Sequence, residues 1–519
     1  MEMTGPYVVL DAVPGADSFG DQTAAVLWRY LAEGDALVKV VHCAKHYGAA
    51  LLQSGRLVLL APESLKHQLH GTIIESGSGI VRDVDAGDTH IVFCTDDGTV
   101  FSFGYSNKYG QLGDGTVWMS LPSEAKKLSN NGEEEEGEGE EDDGLPRLSV
   151  PHMINGFGLG KDGSDEGDIV EGKRQCVPVI AVACGAHHTL LLTNQRNCVY
   201  GCGLGAEGQL GGKRRPLLQP SFKSIRLLFG LPIKQVSAAG RHSFVLLQTG
   251  KLLAFGDNTC GQLGLGSTQA VGTPTTVVFR TPVDNEGKED NDERFRALDS
   301  YALKGLRASW GTAESMYFPL RVERISPELD SNEPFIVSVW SCASRSVVLT
   351  DAMEWLTCGL PLSRNPCDFN KRPCQRMDRY GPLGRWIECE KDAAVFGKMR
   401  WSERLAASLD SAFSSFSEGR EGMSASLDDI IGAIRVVCSN RTVAVLIPGG
   451  GEEKKALLFV QGEVCASTLV DQGQRSLLVP TLRADKLLQD HEVDDDSCEH
   501  YVGHSHALFA SGLGCIVVM

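Results

Sequence analysis

The chain has 519 residues, 42% of them hydrophobic, and a formal net charge of -18. It is long enough for a large core, and its acidic balance argues against a partner as densely negative as nucleic acid. No apolar run is long enough for a membrane-crossing helix and no basic, hydrophobic leader follows Met1, so a soluble cytoplasmic or nuclear protein, not a secreted one, is expected.

Taken in chain order, residues 5–21 hold Tyr7-Val8-Val9-Leu10 and then Phe19-Gly20-Asp21, which look like the second half of a strand unit. Residues 38–60 hold Val41 to Tyr47 and then Leu51 to Gly55, a degenerate unit with Tyr47 where its clearer relatives have His. The first clear unit spans about 81–116, with Gly87, His90, an Asp97-Gly98 hairpin turn, Gly104, Asn107 and Gly110-Gln111-Leu112-Gly113. The second, 179–212, repeats it as Gly185, His188, Gly203 and Gly208-Gln209-Leu210-Gly211. The third, 233–267, has His242, a Thr249-Gly250 turn, Gly256, Asn258 and Gly261-Gln262-Leu263-Gly264. Degenerate units follow at 336–360, at 434–463, and at 498–519, where Gly503 and His506 restore the motif.

Each unit reads as short apolar strands punctuated by glycine and joined by tight turns. A period of this kind marks repeated sheets that bury their apolar faces only against one another. The leucines of the three Gly-Gln-Leu-Gly phrases are expected to be buried between neighbouring units. The recurring His is expected to build the unit, through a hydrogen bond to a neighbouring backbone. Asn107 and Asn258 are expected to cap the bend before each phrase.

These three copies resemble the repeat of the regulator of chromosome condensation family. The resemblance implies an all-β, seven-bladed propeller. Ile516-Val517-Val518-Met519 stops within a unit and Tyr7-Val8-Val9-Leu10 resembles the second half of one, so the N-terminal strand is expected to complete the C-terminal blade and close the ring. Against that frame, residues 117–178, 268–335 and 361–433 are insertions. The first contains Glu133, Glu134, Glu135, Glu136, Glu138, Glu140, Glu141, Asp142 and Asp143 within 132–144, a self-repelling run expected to be disordered. The second includes the polar stretch 284–294. The third has enough helix formers for short helices at 402–416 and 427–434.

No catalytic, cofactor-binding or metal-binding residue is assigned. The 16 cysteines show no Cys-x-x-Cys spacing and read as reduced, buried thiols. Cys198 and Cys202 beside His187 and His188 lie across a strand and its bend, not on a zinc knuckle. Gly201 to Gly205 and Pro448 to Gly451 lack the context of nucleotide-binding loops. The densest basic cluster, Lys213-Arg214-Arg215, is short, so direct nucleic-acid binding is not expected.

Three functions stay open. The first is a non-enzymatic protein-interaction scaffold with the insertions as partner-specific loops. The second, implied by the resemblance, is nucleotide exchange on a Ran-like small GTPase, for which no residues carry over position by position. The third is a chromatin adaptor that binds histones through the acidic loop. Protein partners, no cofactor and a monomer are expected.

Overall fold

In a computed structural model the described residues are 7–11, 18–43, 47–62, 69–74, 79–119, 148–158, 177–194, 197–213, 215–279, 334–359, 394–399, 434–438, 442–447, 456–462, 466–471, 474–477, 499–502, 508–510 and 516–518. They form one helix, a few single turns and 29 strands. Strand β1 (Tyr7–Asp11) precedes α1 (Ser18–Ala32). Sheet one is β2 (Leu37–His42), β3 (Gly48–Leu52), β4 (Leu57–Pro62) and β5 (Leu69–Ile74). Sheet two is β6 (Val81–Ala86), β7 (His90–Thr95), β8 (Val100–Gly104) and β9 (His152–Met153), and sheet three is β10 (Val179–Cys184), β11 (His188–Thr193), β12 (Val199–Leu204) and β13 (Leu218–Ser224). Sheet four is β14 (Ile233–Ala239), β15 (His242–Leu247), β16 (Leu252–Gly256) and β17 (Val271–Thr276), and sheet five is β18 (Ile336–Cys342), β19 (Arg345–Thr350), β20 (Trp355–Gly359) and β21 (Gly397–Lys398).

The last two sheets interleave. Sheet six takes β22 (Arg435–Cys438), β23 (Thr442–Ile447) and β24 (Ala456–Gly462), then skips β25 (Ala466–Asp471) and β26 (Gln474–Leu477) to add β27 (Glu499–Val502). Sheet seven combines β28 (Leu508–Ala510) and β29 (Ile516–Val518) with the skipped hairpin and the N-terminal strand, in the order β26-β25-β1-β29-β28. Within it, Val9 stands opposite both Thr468 and Val517.

Every strand pairing is antiparallel, and in each of sheets one to five the first strand carries a bulge near its start. First strands of successive sheets are neighbours, from β2 through β6, β10, β14 and β18 to β22, and β28 lies against both β22 and β2. Second strands are buried along their whole length on sheets one to five because both faces meet a neighbouring sheet. The apolar interior therefore runs between sheets. One cluster joins Leu190, Leu192 and Val199 of sheet three to Val245, Leu253 and Phe255 of sheet four.

Three features depart from the sequence reading. Residues 18–21 begin α1 instead of ending a strand unit. The helix forms because Ala24, Leu27, Trp28 and Leu31 share one face, which packs on Leu37, Leu52, Val58 and Leu60 of sheet one. Second, β27 falls within the segment assigned to the last unit but completes sheet six, while residues 466–477 supply part of sheet seven. Third, the outer strands β5, β9, β13, β17 and β21 carry no repeat motif, and β9, β17 and β21 fall in stretches read as insertions. The acidic run 132–144, the stretches 284–294, 402–416 and 427–433, and Gly503 and His506 lie outside the described residues.

Candidate functional site: the inter-sheet relay and the loop face

The repeat residues converge at the junctions between sheets. His90, His188 and His242 each open the second strand of their sheet, fully buried, opposite Gly104, Gly203 and Gly256 respectively. His90 places Nε2 2.9 Å from Thr189 Oγ1 of sheet three, and His188 places Nε2 2.9 Å from Ser243 Oγ of sheet four. Those hydroxyls donate onward: Thr189 to the Gln111 carbonyl at 2.8 Å and Ser243 to the Gln209 carbonyl at 2.9 Å. A hydroxyl has one proton, and here the carbonyl takes it, so the imidazole must donate. Both rings are therefore neutral with the proton on Nε2. Burial agrees, lowering His90 and His188 to about 3.

The expected bond from His to a neighbouring backbone is thus corrected. The ring reaches a hydroxyl, and the hydroxyl reaches the backbone. Only sequence from two sheets read together could have shown it, as Thr189 and Ser243 follow directly after the next His.

The glycine before each of the first two histidines explains the ring position. A Cβ on Gly87 or Gly185 would overlap the imidazole of His90 or His188, so only glycine admits the ring there. In sheet four that place is held by Ala239, opposite His242. His242 lies edge-on to Phe244, neither ring nitrogen finds a hydrogen-bond partner among the described residues, and burial lowers it to about 4. Ser346 of sheet five still donates to the Gln262 carbonyl at 2.8 Å.

The same register position is filled differently in the degenerate units. Arg345 stands opposite Gly359 and is 1% exposed, Thr442 stands opposite Gly462, and buried Tyr47 directly precedes β3.

The Gly-Gln-Leu-Gly phrases form the outer half of each junction. Leu112, Leu210 and Leu263 are buried. The Gln111, Gln209 and Gln262 side chains turn back, their Oε1 atoms accepting the backbone N–H of Tyr109, Glu207 and Cys260. Asn107 and Asn258 accept from the N–H of Leu112 and Leu263. Gly110, Gly208 and Gly261 lie against Pro220, Gly272 and Ala394 of the following sheet, and Gly113, Gly211 and Gly264 meet the rings of Phe222, Phe255 and Phe396.

Immediately outside this frame, the paired residues change from junction to junction. Tyr109 and His187, which precede the Gly-Gln-Leu-Gly phrase and the next His, are half-buried and set their rings at a 32° tilt with centroids 4.7 Å apart. At the next junction the equivalent residues are Glu207 and Arg241, an ion pair with Oε1 and Nη1 3.3 Å apart. On the first strands, Lys39 Nζ lies 3.1 Å from Asp83 Oδ1 and 3.9 Å from Asp85, while the other oxygens of these carboxylates accept the N–H of Val182 and Cys184. One charged cluster thus ties sheets one, two and three.

Among the described residues no group of three or more His, Cys, Asp or Glu is placed to hold a metal ion, and no helix is long and apolar enough to cross a membrane. Cys184 and Cys202 are buried free thiols whose pKa values burial pushes up, which makes them poor nucleophiles.

Comparison with known proteins agrees with this geometry. The sequence profile of the regulator of chromosome condensation (RCC1) repeat matches residues 81–111, 179–209 and 233–262. Rat HERC4, a probable E3 ubiquitin-protein ligase, is 34% identical over 197 residues, which are 36% of this chain and 18% of that protein. The ultraviolet-B receptor UVR8 of Arabidopsis thaliana is 36% identical over 155 residues, 29% of this chain and 34% of that one. The match therefore spans less than a fifth of HERC4 and about a third of UVR8. A chain in the crystal structure of Kap60 bound to yeast RCC1 (Prp20) superposes with a TM-score of 0.50 at 12% identity, covering 99% of this chain and 88% of that one, a likeness of fold alone. The chain thus carries three RCC1 repeats within an all-β fold of antiparallel sheets consistent with a propeller.

Proposed function

We propose that the protein is a non-enzymatic interaction scaffold, a ring of seven blades that displays junction side chains and insertions to protein partners. The observation that carries this reading is the division of labour at each junction. His90, His188 and His242 are buried inside the frame, whereas the half-buried to exposed residues just outside it change from Tyr109 and His187 to Glu207 and Arg241. Fixed interior and variable rim is the arrangement of a recognition surface on a rigid support. Ring closure is supported by β28 lying beside both β22 and β2, and by β1 bridging β25 and β29.

Catalysis by the repeat residues would need a group that meets a ligand, and the His90 and His188 rings bond to the next sheet while His242 packs on Phe244. The test has two arms. Purified full-length protein is assayed for release of fluorescent GDP from a Ran-type GTPase, where the scaffold reading expects no acceleration. In parallel, Tyr109→Ala and Arg241→Glu are compared with the parent for co-purifying proteins. Loss of a defined partner with unchanged thermal unfolding supports the scaffold, and acceleration of GDP release by orders of magnitude replaces it with exchange.

A further inference from the structure

The charge of sheet three runs against that of the chain. On this sheet and its flanking turns, residues 177–231, the described charged side chains are Lys213, Arg215, Lys223, Arg226 and a single carboxylate, Glu207, in a chain of net charge -18. Glu207 is engaged by Arg241 of sheet four. The four cations are exposed, and among the described residues Lys213 and Lys223 make no ion pair.

Their placement follows the outermost strand. Lys213 and Arg215 precede β13, Lys223 sits near its end, and Arg226 opens the 3₁₀ turn that follows. At about 3.3 Å per residue the two cationic ends are separated by roughly 20 Å of strand. Large apolar side chains accompany them: Leu217 is 67% exposed, Leu218 39% and Phe229 43%. Leucines this exposed at an edge that also carries Lys213 and Lys223 mark a contact surface more than a solvated edge.

We propose that the outer edge of sheet three docks an extended acidic peptide segment of another protein, its carboxylates meeting the two cationic ends and its apolar side chains covering Leu217, Leu218 and Phe229. This names the partner class for one face of the scaffold and rests on that reading. Charge complementarity selects an acidic ligand. The exposed leucines select a peptide over nucleic acid, whose backbone offers them nothing. The middle of the edge is met by the chain itself, Gly115 N donating to Pro220 O at 2.9 Å and Asp114 bridging to Ser221, so the peptide engages the two flanking ends.

The experiment measures fluorescence anisotropy of a labelled synthetic peptide of Glu, Asp and Leu, about 12 residues long so that it spans the strand, against full-length protein at low salt. Controls are the same peptide with Lys for the acids and a single-stranded DNA oligonucleotide. Saturable binding of the acidic peptide alone, weakened about tenfold or more by Lys213→Glu with Arg215→Glu and separately by Lys223→Glu, is the expected result. Leu217→Ser should weaken it without changing charge. Because these residues are exposed, each variant should keep the parental melting temperature.

Equal binding of the DNA, lost in the same variants, would overturn the peptide assignment in favour of a general polyanion site. Binding that emerges only when 132–144 is replaced by a neutral Gly-Ser run would make the chain's own insertion the occupant and overturn docking in trans. Absence of binding in both forms, while Arg241→Glu still loses a co-purifying partner, would sink this surface and leave the scaffold standing.

Discussion

His90 and Thr189 belong to different sheets, and their Nε2 and Oγ1 atoms are 2.9 Å apart in the buried junction between them. Thr189 passes the link to the Gln111 carbonyl, so one hydroxyl serves both sheets. Thr189→Val keeps the shape and removes the hydroxyl, leaving the buried His90 N–H without its acceptor and the Gln111 carbonyl with only the weak Cys202 thiol donor. The expected loss is about 1–3 kcal/mol, read as a lower urea midpoint with unchanged m-value. Ser243→Ala should act in the same direction at the next junction.

The buried imidazoles set a pH dependence. His90 and His188 are lowered to about 3 and His242 to about 4, against an ordinary value of 6.5. Between those limits the unfolded chain binds more protons than the folded one, so stability is full above pH 6.5 and falls as the pH drops toward 4. At pH 5 each ring should account for about 2 kcal/mol of the loss. Urea titrations from pH 7 to 4 measure the slope, and His188→Gln should flatten it whatever it does to stability at pH 7.

Ala239 holds the place that glycine holds at the two preceding junctions, and His242 is the ring without a hydrogen-bond partner among the described residues. Ala239→Gly should let the imidazole cover that position and reach Ser346 as its counterparts reach Thr189 and Ser243. The readout is nitrogen-15 NMR of the imidazoles: the parent should show two slowly exchanging Nε2–H groups from this set, and the variant three. The net stability change should stay within about 1 kcal/mol, because the added hydrogen bond is offset by the freedom of glycine in the unfolded chain.

Sheets two to four were legible because one recurring geometry leaves a trace at fixed positions: glycine under the ring in sheets two and three and Ala239 in sheet four, His at the strand start, the Gln-Leu turn outside. Sheet one was legible through Tyr47, an apolar ring in the same place. The trace fails where geometry is kept by other chemistry. Arg345 occupies the His position in sheet five, but an Arg in a sequence says nothing of burial. The outer strands, such as β13 with its irregular burial, pair along one neighbouring strand and need no motif. Helix α1 was missed because Phe19-Gly20-Asp21 has strand-end composition, while the face that makes it helical begins later, at Ala24. The inter-sheet relay was invisible because its partners lie on separate repeats and neither repeat alone requires the other.

The cluster of Lys39 with Asp83 and Asp85 predicts a pH-dependent penalty. Burial raises Asp85 above the usual carboxylate range, with Lys39 opposing the rise. Lys39→Met should therefore raise Asp85 further and leave two neighbouring carboxylates without their cation. Its destabilisation should be largest near pH 7, on the order of 1 kcal/mol because the Lys39 side chain is 38% exposed, and shrink as the pH falls and a proton replaces the lost cation. Thermal melts of variant and parent at pH 7 and 5.5 measure the difference.

Strand β1 sits between β25 and β29, paired with residues 466–471 on one side and 516–518 on the other. During synthesis it emerges about 450 residues ahead of β25 and further still ahead of β29. At about 5–20 residues per second, translation leaves it unpartnered for roughly 20–90 s. Sheets one to five can assemble as they are made, whereas sheet seven must wait for residues 466–471 and 516–518. Anything that captures the nascent N-terminal strand, a chaperone or a second copy of the chain, competes directly with completion of that sheet.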